Sequence, residues 1–235
     1  MASLPHLLFQ IAEWGRTGLD LAFPPIPFDL TTTRRIRAPF CTRCGEPYDG
    51  AIFGEFICAN CEERSWSLDW ARAAWRAEGA VREAILDFKY RQKFHRLGPL
   101  ADRLEDGFRQ FAAGEAWDGL VYVPLHPLRR RERGFDQAEE LCRELGRRQR
   151  LPVLACLERT RPTPKQALLG RGPRLRNLMG AFSLKEARKP RFDVTARRLL
   201  LIDDVLTTGA TAEACARVLI AEGAERVAAL TVARA

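Results

Sequence analysis

At 235 residues, with 46% hydrophobic and 29% charged side chains, the chain has room for one medium domain and a small appendage, and its composition excludes wholesale disorder. No apolar run approaches the roughly 20 residues that a membrane-spanning helix needs, and no basic n-region with an apolar core and cleavage site opens the chain, so a soluble, cytoplasmic protein without membrane insertion is expected. The net charge of +8 is concentrated: residues 121–200 carry 20 Lys/Arg against 8 Asp/Glu, which suits pyrophosphate, a nucleic-acid backbone or a solvated arginine-rich surface.

Residues 1–37 read as an N-terminal helical extension. Leu7 to Leu21 is amphipathic, and Phe23-Pro24-Pro25-Ile26-Pro27 breaks any helix. Its polar face lacks a Lys/Arg cluster, so a helix docked on the main domain is expected rather than a membrane-surface anchor. Residues 38–68 hold Cys41-x-x-Cys44 and Cys58-x-x-Cys61, separated by 13 residues, close to the spacing of four-thiolate zinc sites. All four ligands are soft, no histidine is near, and Gly45 suits the left-handed turn of such a pair. A closed structural Zn²⁺ ribbon is the reading, with a redox pair or an iron–sulfur cluster as the alternatives. Four sulfurs leave no open coordination position, so the metal's task would be to fold a segment too short to build a core. Cys142, Cys156 and Cys215 lie in periodic apolar segments and read as small core residues.

Residues 69–235 form the main domain. Val81, Ile85 and Phe88 follow helical spacing, and Asp87-Phe88-Lys89-Tyr90 closes that stretch. A second helix is expected from about Leu97 to Phe111. Gly119 to Val123 reads as a strand, followed by the loop Pro124-Leu125-His126-Pro127-Leu128. Arg129-Arg130-Arg131-Glu132-Arg133-Gly134-Phe135-Asp136-Gln137 then opens a helix to about Arg148, and Leu151 to Leu157 reads as a strand. Residues 159–182 hold three prolines and three glycines without periodicity; a long basic loop of this kind is functional or disordered.

Residues 199–211, LLLIDDVLTTGAT, carry most of the chemistry. Three leucines and Ile202 suit a buried parallel strand, which is expected to end at Asp203 and Asp204. The turn Thr207-Thr208-Gly209-Ala210-Thr211 follows and leads into a helix on which Ala212, Cys215, Ala216 and Leu219 are spaced for one face; Gly223 stops it, and Arg226 to Val232 reads as another strand. In open α/β sheets ligands bind beyond the carboxyl ends of the strands. A small-residue turn entering a helix N-terminus offers amides and hydroxyls to an anion. Two carboxylates beside such a cradle make sense when a ribose, bridged by Mg²⁺, stands between the like charges. The bland alternative is a generic strand–helix turn with a capping threonine.

This unit resembles the binding signature of the type I phosphoribosyltransferases, which use phosphoribosyl pyrophosphate (PRPP). The cysteine ribbon, the Asp-Phe-Lys-Tyr helix end, VPLHPLRRRERGFDQ, the segment Thr163…Gln166…Leu169…Arg174…Asn177…Gly180-Ala181-Phe182, and LIDDVLTTGAT occur in that order, and in this the chain is similar to the ComF (ComFC/GntX) family of phosphoribosyltransferase-like competence proteins over about residues 38–235. Two positions depart from the family pattern: Asp136 stands where asparagine is usual, and Gly172-Pro173 where an acidic residue is common.

The resemblance implies an α/β fold with a mostly parallel central sheet flanked by helices. It implies that Thr207, Thr208, Gly209, Ala210 and Thr211 hold the 5′-phosphate while Asp203 and Asp204 contact the ribose hydroxyls and, directly or through water, Mg²⁺. Arg133-Gly134 is the favoured pyrophosphate contact among four arginines, the others being solvated or facing another macromolecule. Residues 159–182 would be a mobile flap with Lys165, Gln166, Arg174 and Asn177 as contacts, or a structural segment. His126 reads as a loop-packing residue rather than a general base. Three functions follow: Mg²⁺-dependent phosphoribosyl transfer to an unidentified acceptor; a competence factor that binds single-stranded DNA and works with the DNA-uptake machinery, its PRPP pocket regulatory or vestigial; and a PRPP-sensing regulator without turnover. Only Tyr122, Phe135, Phe182 and Phe192 supply aromatic rings in the basic block, few for stacking bases.

Overall fold

The structure is a computed structural model that describes residues 33–50, 52, 54–62, 64–162, 180–185 and 193–235. In chain order the elements are α1 (Ala59–Glu62), β1 (Ala71–Arg76), α2 (Gly79–Arg91), a 3-10 turn (Phe94–Arg96) and α3 (Leu97–Phe111). Then come β2 (Gly119–Tyr122), α4 (Pro127–Arg133), α5 (Gln137–Gln149), β3 (Leu157–Arg159), β4 (Phe182–Leu184), β5 (Arg198–Leu206), α6 (Ala210–Ala221) and β6 (Arg226–Arg234).

Four strands form a parallel sheet in the order β1-β6-β5-β2, and β3 and β4 make a separate antiparallel pair. This agrees with the fold class expected from the sequence. β5 is central, paired with β2 on one side and β6 on the other, and its apolar run follows from burial on both faces. Successive side chains alternate: Leu200 and Ile202 pack with Phe88, Leu100, Leu104, Leu141 and Leu145 of α2, α3 and α5. Leu199 and Leu201 pack on the opposite face with Phe182, Cys215, Ala216 and Leu219.

The cysteine-bearing segment precedes β1 and is tied to it, Ala71 N donating to the Arg43 carbonyl at 2.7 Å. At the β1 edge, Arg35 bridges Trp75 in the antiparallel sense, and Ile36 N donates to the Ala74 carbonyl at 2.8 Å.

The structure corrects four expectations. β5 does not stop at the aspartates: pairing with β6 carries it on to Leu206, through Val205↔Ala233 and Leu206↔Arg234. The arginine run is a separate short helix, α4, because Gly134 takes a left-handed conformation (φ 84°) and ends it before Asp136 starts α5. The strand expected over Leu151 to Leu157 reduces to one parallel bridge, Val153↔Leu120, after which the chain leaves the sheet edge to form β3. β1, with the sequence ARAAWR, is an addition to the expected strands. The amphipathic stretch Leu7 to Leu21 lies outside the described residues.

Candidate functional site

The carboxyl ends of β2 and β5 open into a cleft of about 1670 Å³, open to solvent, whose walls include Asp203, Asp204, Lys89, Arg133, Arg159 and Thr211. The two aspartates are neighbours on a strand, so their side chains leave the sheet on opposite faces. Asp203 lies on the face of Leu201 and also lines a smaller, tight hollow formed with Leu206, Thr207, Gly209 and Thr211. Asp204 lies on the face of Ile202, 2.5 Å from Lys89 Nζ on α2. Both rim the same cleft.

Their electrostatics differ. Burial pushes Asp203 up to about 7, against the pull of Lys89, and Asp136 adds like-charge repulsion. Asp203 Oδ1 also accepts the Asp204 amide at 2.8 Å. Lys89 is held down to about 8, burial outweighing the carboxylate attraction, with Arg133 adding repulsion. Asp203 is thus an acid whose charge is costly unless a further cation or hydroxyl donor arrives.

The turn after β5 leads into a helix N-terminus. Gly209 has φ 75° and is the N-cap of α6, whose end has no side-chain cap. Gly209, Ala210, Thr211 and Ala212 line the smaller hollow, at the positive end of the helix dipole. The Thr208 hydroxyl supports Ala210 N at 3.4 Å, so the turn is braced from within.

Across the cleft, Arg133 lies over the Tyr90 ring at 5.2 Å, hydrogen-bonds Gln137, and has its carbonyl held by Gln92 Nε2 at 3.1 Å. Burial lowers its pKa, which marks a guanidinium poor in water contacts. Arg159 lines the same wall, 5.3 Å over the Phe182 ring. The other arginines of α4 are divided: Arg129 reaches the cleft while pairing with Glu132 at 2.9 Å, Arg130 pairs with Glu139 at 2.9 Å, and Arg131 is exposed.

Asp136 is a helix cap. Its carboxylate accepts from Ala138 N at 3.1 Å and Glu139 N at 3.3 Å, and its other oxygen accepts from Leu125 N at 2.7 Å. Burial raises its pKa while these amides oppose the shift. His126 caps α4, its Nδ1 accepting from Leu128 N at 3.3 Å, in keeping with a packing role.

The four cysteines converge. Their sulfurs lie within 4.8 Å of one another, and Cys44 Sγ and Cys58 Sγ are 3.7 Å apart. A tetrahedral Zn²⁺ with bonds of about 2.3 Å separates its sulfurs by about 3.8 Å, so the set fits that ion. The Cys58 amide points at Cys41 Sγ (3.4 Å), as backbone donors to bound thiolates do. A hydrogen bond from Cys61 holds Cys44 down to about 5, while burial pushes Cys58 up to about 11. A divalent cation removes that conflict between neighbouring thiolates.

The structure therefore brings together Asp203, Asp204, Thr211, Arg133 and the Thr207–Gly209 turn, and separately the four cysteines. Lys165, Gln166, Arg174 and Asn177 lie outside the described residues. Sequence reasoning missed Lys89, Tyr90, Gln92, Gln137 and Arg159 as cleft residues. A lysine in the last turn of an amphipathic helix reads as a complement to the helix dipole; only the quoted Asp-Phe-Lys-Tyr motif pointed at it.

No family model matches the chain. Two solved structures share part of it, an allosteric regulatory enzyme of purine biosynthesis (TM-score 0.37) and the glutamine PRPP amidotransferase of Bacillus subtilis complexed with ADP and GMP (TM-score 0.35). Each is 16% identical; the matches cover 57% and 55% of this chain and 24% of each of those chains. Curated relatives are closer in sequence. The DNA utilization protein YhgH of Escherichia coli K12 is 30% identical over 80% of both chains. Competence protein F of Haemophilus influenzae is 30% identical over 84% of this chain and 85% of its own. ComFC of Bacillus subtilis is 26% identical over 81% and 75%. Identity at that level over most of both lengths settles the kinship: the chain belongs to the ComF family of competence and DNA-utilisation proteins.

Proposed function

We propose that the protein binds PRPP with Mg²⁺ and transfers its phosphoribosyl group to an acceptor, in the service of DNA uptake or use. One observation carries this reading: two acids at the end of β5 stand between a helix N-terminus without a side-chain cap and a wall of arginines. The 5′-phosphate sits in the turn Thr207 to Thr211, where amides, hydroxyls and the helix dipole favour a dianion. Asp203 and Asp204 take the ribose hydroxyls, and Arg133 and Arg159 take the pyrophosphate, guanidinium forks matching phosphate oxygens.

Transfer breaks the bond from the anomeric carbon to pyrophosphate and forms one to the acceptor. The positive charge that grows on the sugar ring is stabilised by the nearby carboxylates. The bound Mg²⁺ would neutralise the departing pyrophosphate, and Asp203 and Asp204 are the residues that would hold it. No side-chain nucleophile is needed, because positioning and charge neutralisation do the work. The acceptor enters opposite the arginine wall, through a depression of about 870 Å³ beyond Asp204 that is bounded by Ala77, Arg82, Ile85, Leu86 and Val205. Its half-apolar lining suits a flat nitrogen nucleophile.

Titration calorimetry tests the reading. PRPP should bind only with Mg²⁺, and Asp203→Asn with Asp204→Asn should abolish the heat. A pyrophosphate-release screen across amines and nucleobases then finds the acceptor. Absence of any PRPP binding by the wild-type protein ends the proposal.

A further inference from the structure

We propose that the cysteine ribbon is a clamp on the phosphate turn, so that metal occupancy at Cys41, Cys44, Cys58 and Cys61 sets the affinity of the turn for its sugar phosphate. The ligand side of this statement rests on the function proposed above; the mechanical side does not.

Two struts join the ribbon to the turn and its helix, and a third joins it to the neighbouring strand β6. The first is Trp66, whose ring packs against both the cysteine cluster and the core under β5 and α6. The far edge of that ring lies against Gly209: a Cβ on this glycine would come within 2.9 Å of Trp66 Cη2 and 3.2 Å of Cζ3. The residue after Trp66 begins the second strut. Glu213, buried in the first turn of α6, accepts from Ser67 N at 3.0 Å and Leu68 N at 3.2 Å, and is held from outside by Arg217 at 2.9 Å. The third is Arg234 at the end of β6, buried, which donates to the Cys44 carbonyl at 2.7 Å and pairs with Glu46. Thr207 and Thr208 share a small hollow with Cys44, Asn60, Cys61 and Arg64, so the ribbon forms part of the outer wall of the turn.

The ribbon's own apolar core is small, and its other ties among the described residues are mostly polar: Arg72 donates to the Thr42 and Arg43 carbonyls, and Arg43 to the Cys61 and Arg64 carbonyls. Its apolar cluster is the four cysteines, with Phe56, Ile57 and Trp66 packed against them. So small a core does not fold without a staple, and metal-binding free energy becomes folding free energy. When the metal leaves, Trp66 loses one of the two surfaces it bridges, while Leu68 stays in the core under β5 and α6. A turn that depends on a left-handed glycine then regains conformations in which its amides no longer converge. Trp66 and Glu213 are therefore positioning residues for the anion site, although neither lines the cleft.

The test uses the full-length protein with its metal content measured. Amide hydrogen exchange over residues 207–212 should quicken by about tenfold or more when a chelator strips the metal, with β5 and β6 still protected. Mg²⁺–PRPP affinity, by calorimetry, should fall by a similar factor. In Trp66→Ala the same two changes should appear while the metal is retained, and Trp66→Phe should restore most of the protection. That variant decides the matter even if the stripped protein unfolds as a whole. Unchanged exchange at 207–212 in Trp66→Ala would overturn the clamp. If exchange responds while the wild type never binds PRPP, the clamp stands and the proposed ligand falls.

Discussion

Burial pushes the Asp203 carboxyl up to about 7 from the 3.8 of an ordinary aspartate. Between those two values the folded chain keeps a proton that the unfolded chain has released, so ionising Asp203 costs stability as pH rises through the window. The ligand-free protein should accordingly lose stability between about pH 4 and pH 7, and Asp203→Asn should flatten that loss in urea titrations read across pH. Binding runs the other way: a ribose held by the ionised acid together with Mg²⁺ needs the proton gone. Mg²⁺–PRPP affinity should therefore climb through the titration near 7 and become weak and pH-independent in Asp203→Asn. Lys89 and Asp204 form the complementary pair, 2.5 Å apart with side chains 18% and 7% exposed. Removing one member leaves the other buried and uncompensated. Lys89→Met should cost about 3 kcal/mol, and Lys89→Met with Asp204→Asn together should recover most of it, a double-mutant cycle that chemical denaturation can read.

At the scale of elements, the site depends on how helices begin. Asp136 caps α5 and at the same time ties the 124–126 loop through Leu125 N. Asp136→Ala should cost about 2 kcal/mol, the upper end of the cap range. Asp136→Asn keeps an acceptor for the cap but loses the one for Leu125 N, removes a buried negative charge near Asp203, and should lower the Asp203 pKa at a smaller stability cost than Asp136→Ala. The measurement is the pH midpoint of Mg²⁺–PRPP binding beside the denaturation midpoint. What the sequence revealed also sorts by element. α2 and α3 were legible because Val81, Ile85 and Phe88, and then Leu100, Leu104 and Phe108, recur at helical spacing and bury one face. β1 was not, since ARAAWR alternates weakly and its alanines favour helix, while parallel pairing with β6 overrides that preference. α4 was merged with α5 because the break lies in the backbone of Gly134, and a glycine does not announce its own φ. The acids and the turn were legible as a motif. Of the cations in the cleft, Arg133 was legible within its own motif, whereas Lys89 and Arg159 were not, because they come from elements far apart in the chain.

For the molecule as a whole, the basic block over 121–200 is less available than its 20 Lys/Arg suggest. Much of α5 neutralises itself. Arg143 pairs with Glu139 at 2.6 Å, Arg147 with Glu144 at 2.8 Å, and Arg148 reaches Asp102, Glu105 and Glu144 at 2.7, 3.0 and 2.8 Å. The Arg148 side chain is 19% exposed and already paired with three carboxylates, which a phosphate would have to displace to use it. α4 differs. Arg131 is exposed, and the Arg129–Glu132 pair is exposed on both sides, where such pairs contribute little and yield easily. Kinship with competence and DNA-utilisation proteins makes single-stranded DNA the natural polyanion to test against this surface. Each phosphate contact on a single strand adds about 0.7 to the slope of log affinity against log salt. Arg129→Ala with Arg131→Ala should then flatten the slope for oligothymidylate by about 1.4, read by fluorescence anisotropy across a sodium chloride series. Arg143→Ala with Arg147→Ala should leave the slope as it was. Asp203→Asn should leave it too, since an acid supplies no phosphate contact whose loss would change the slope. A slope that flattens for the α5 pair and not for the α4 pair would place the DNA on the helix that the structure describes as self-neutralised, and would reverse this assignment.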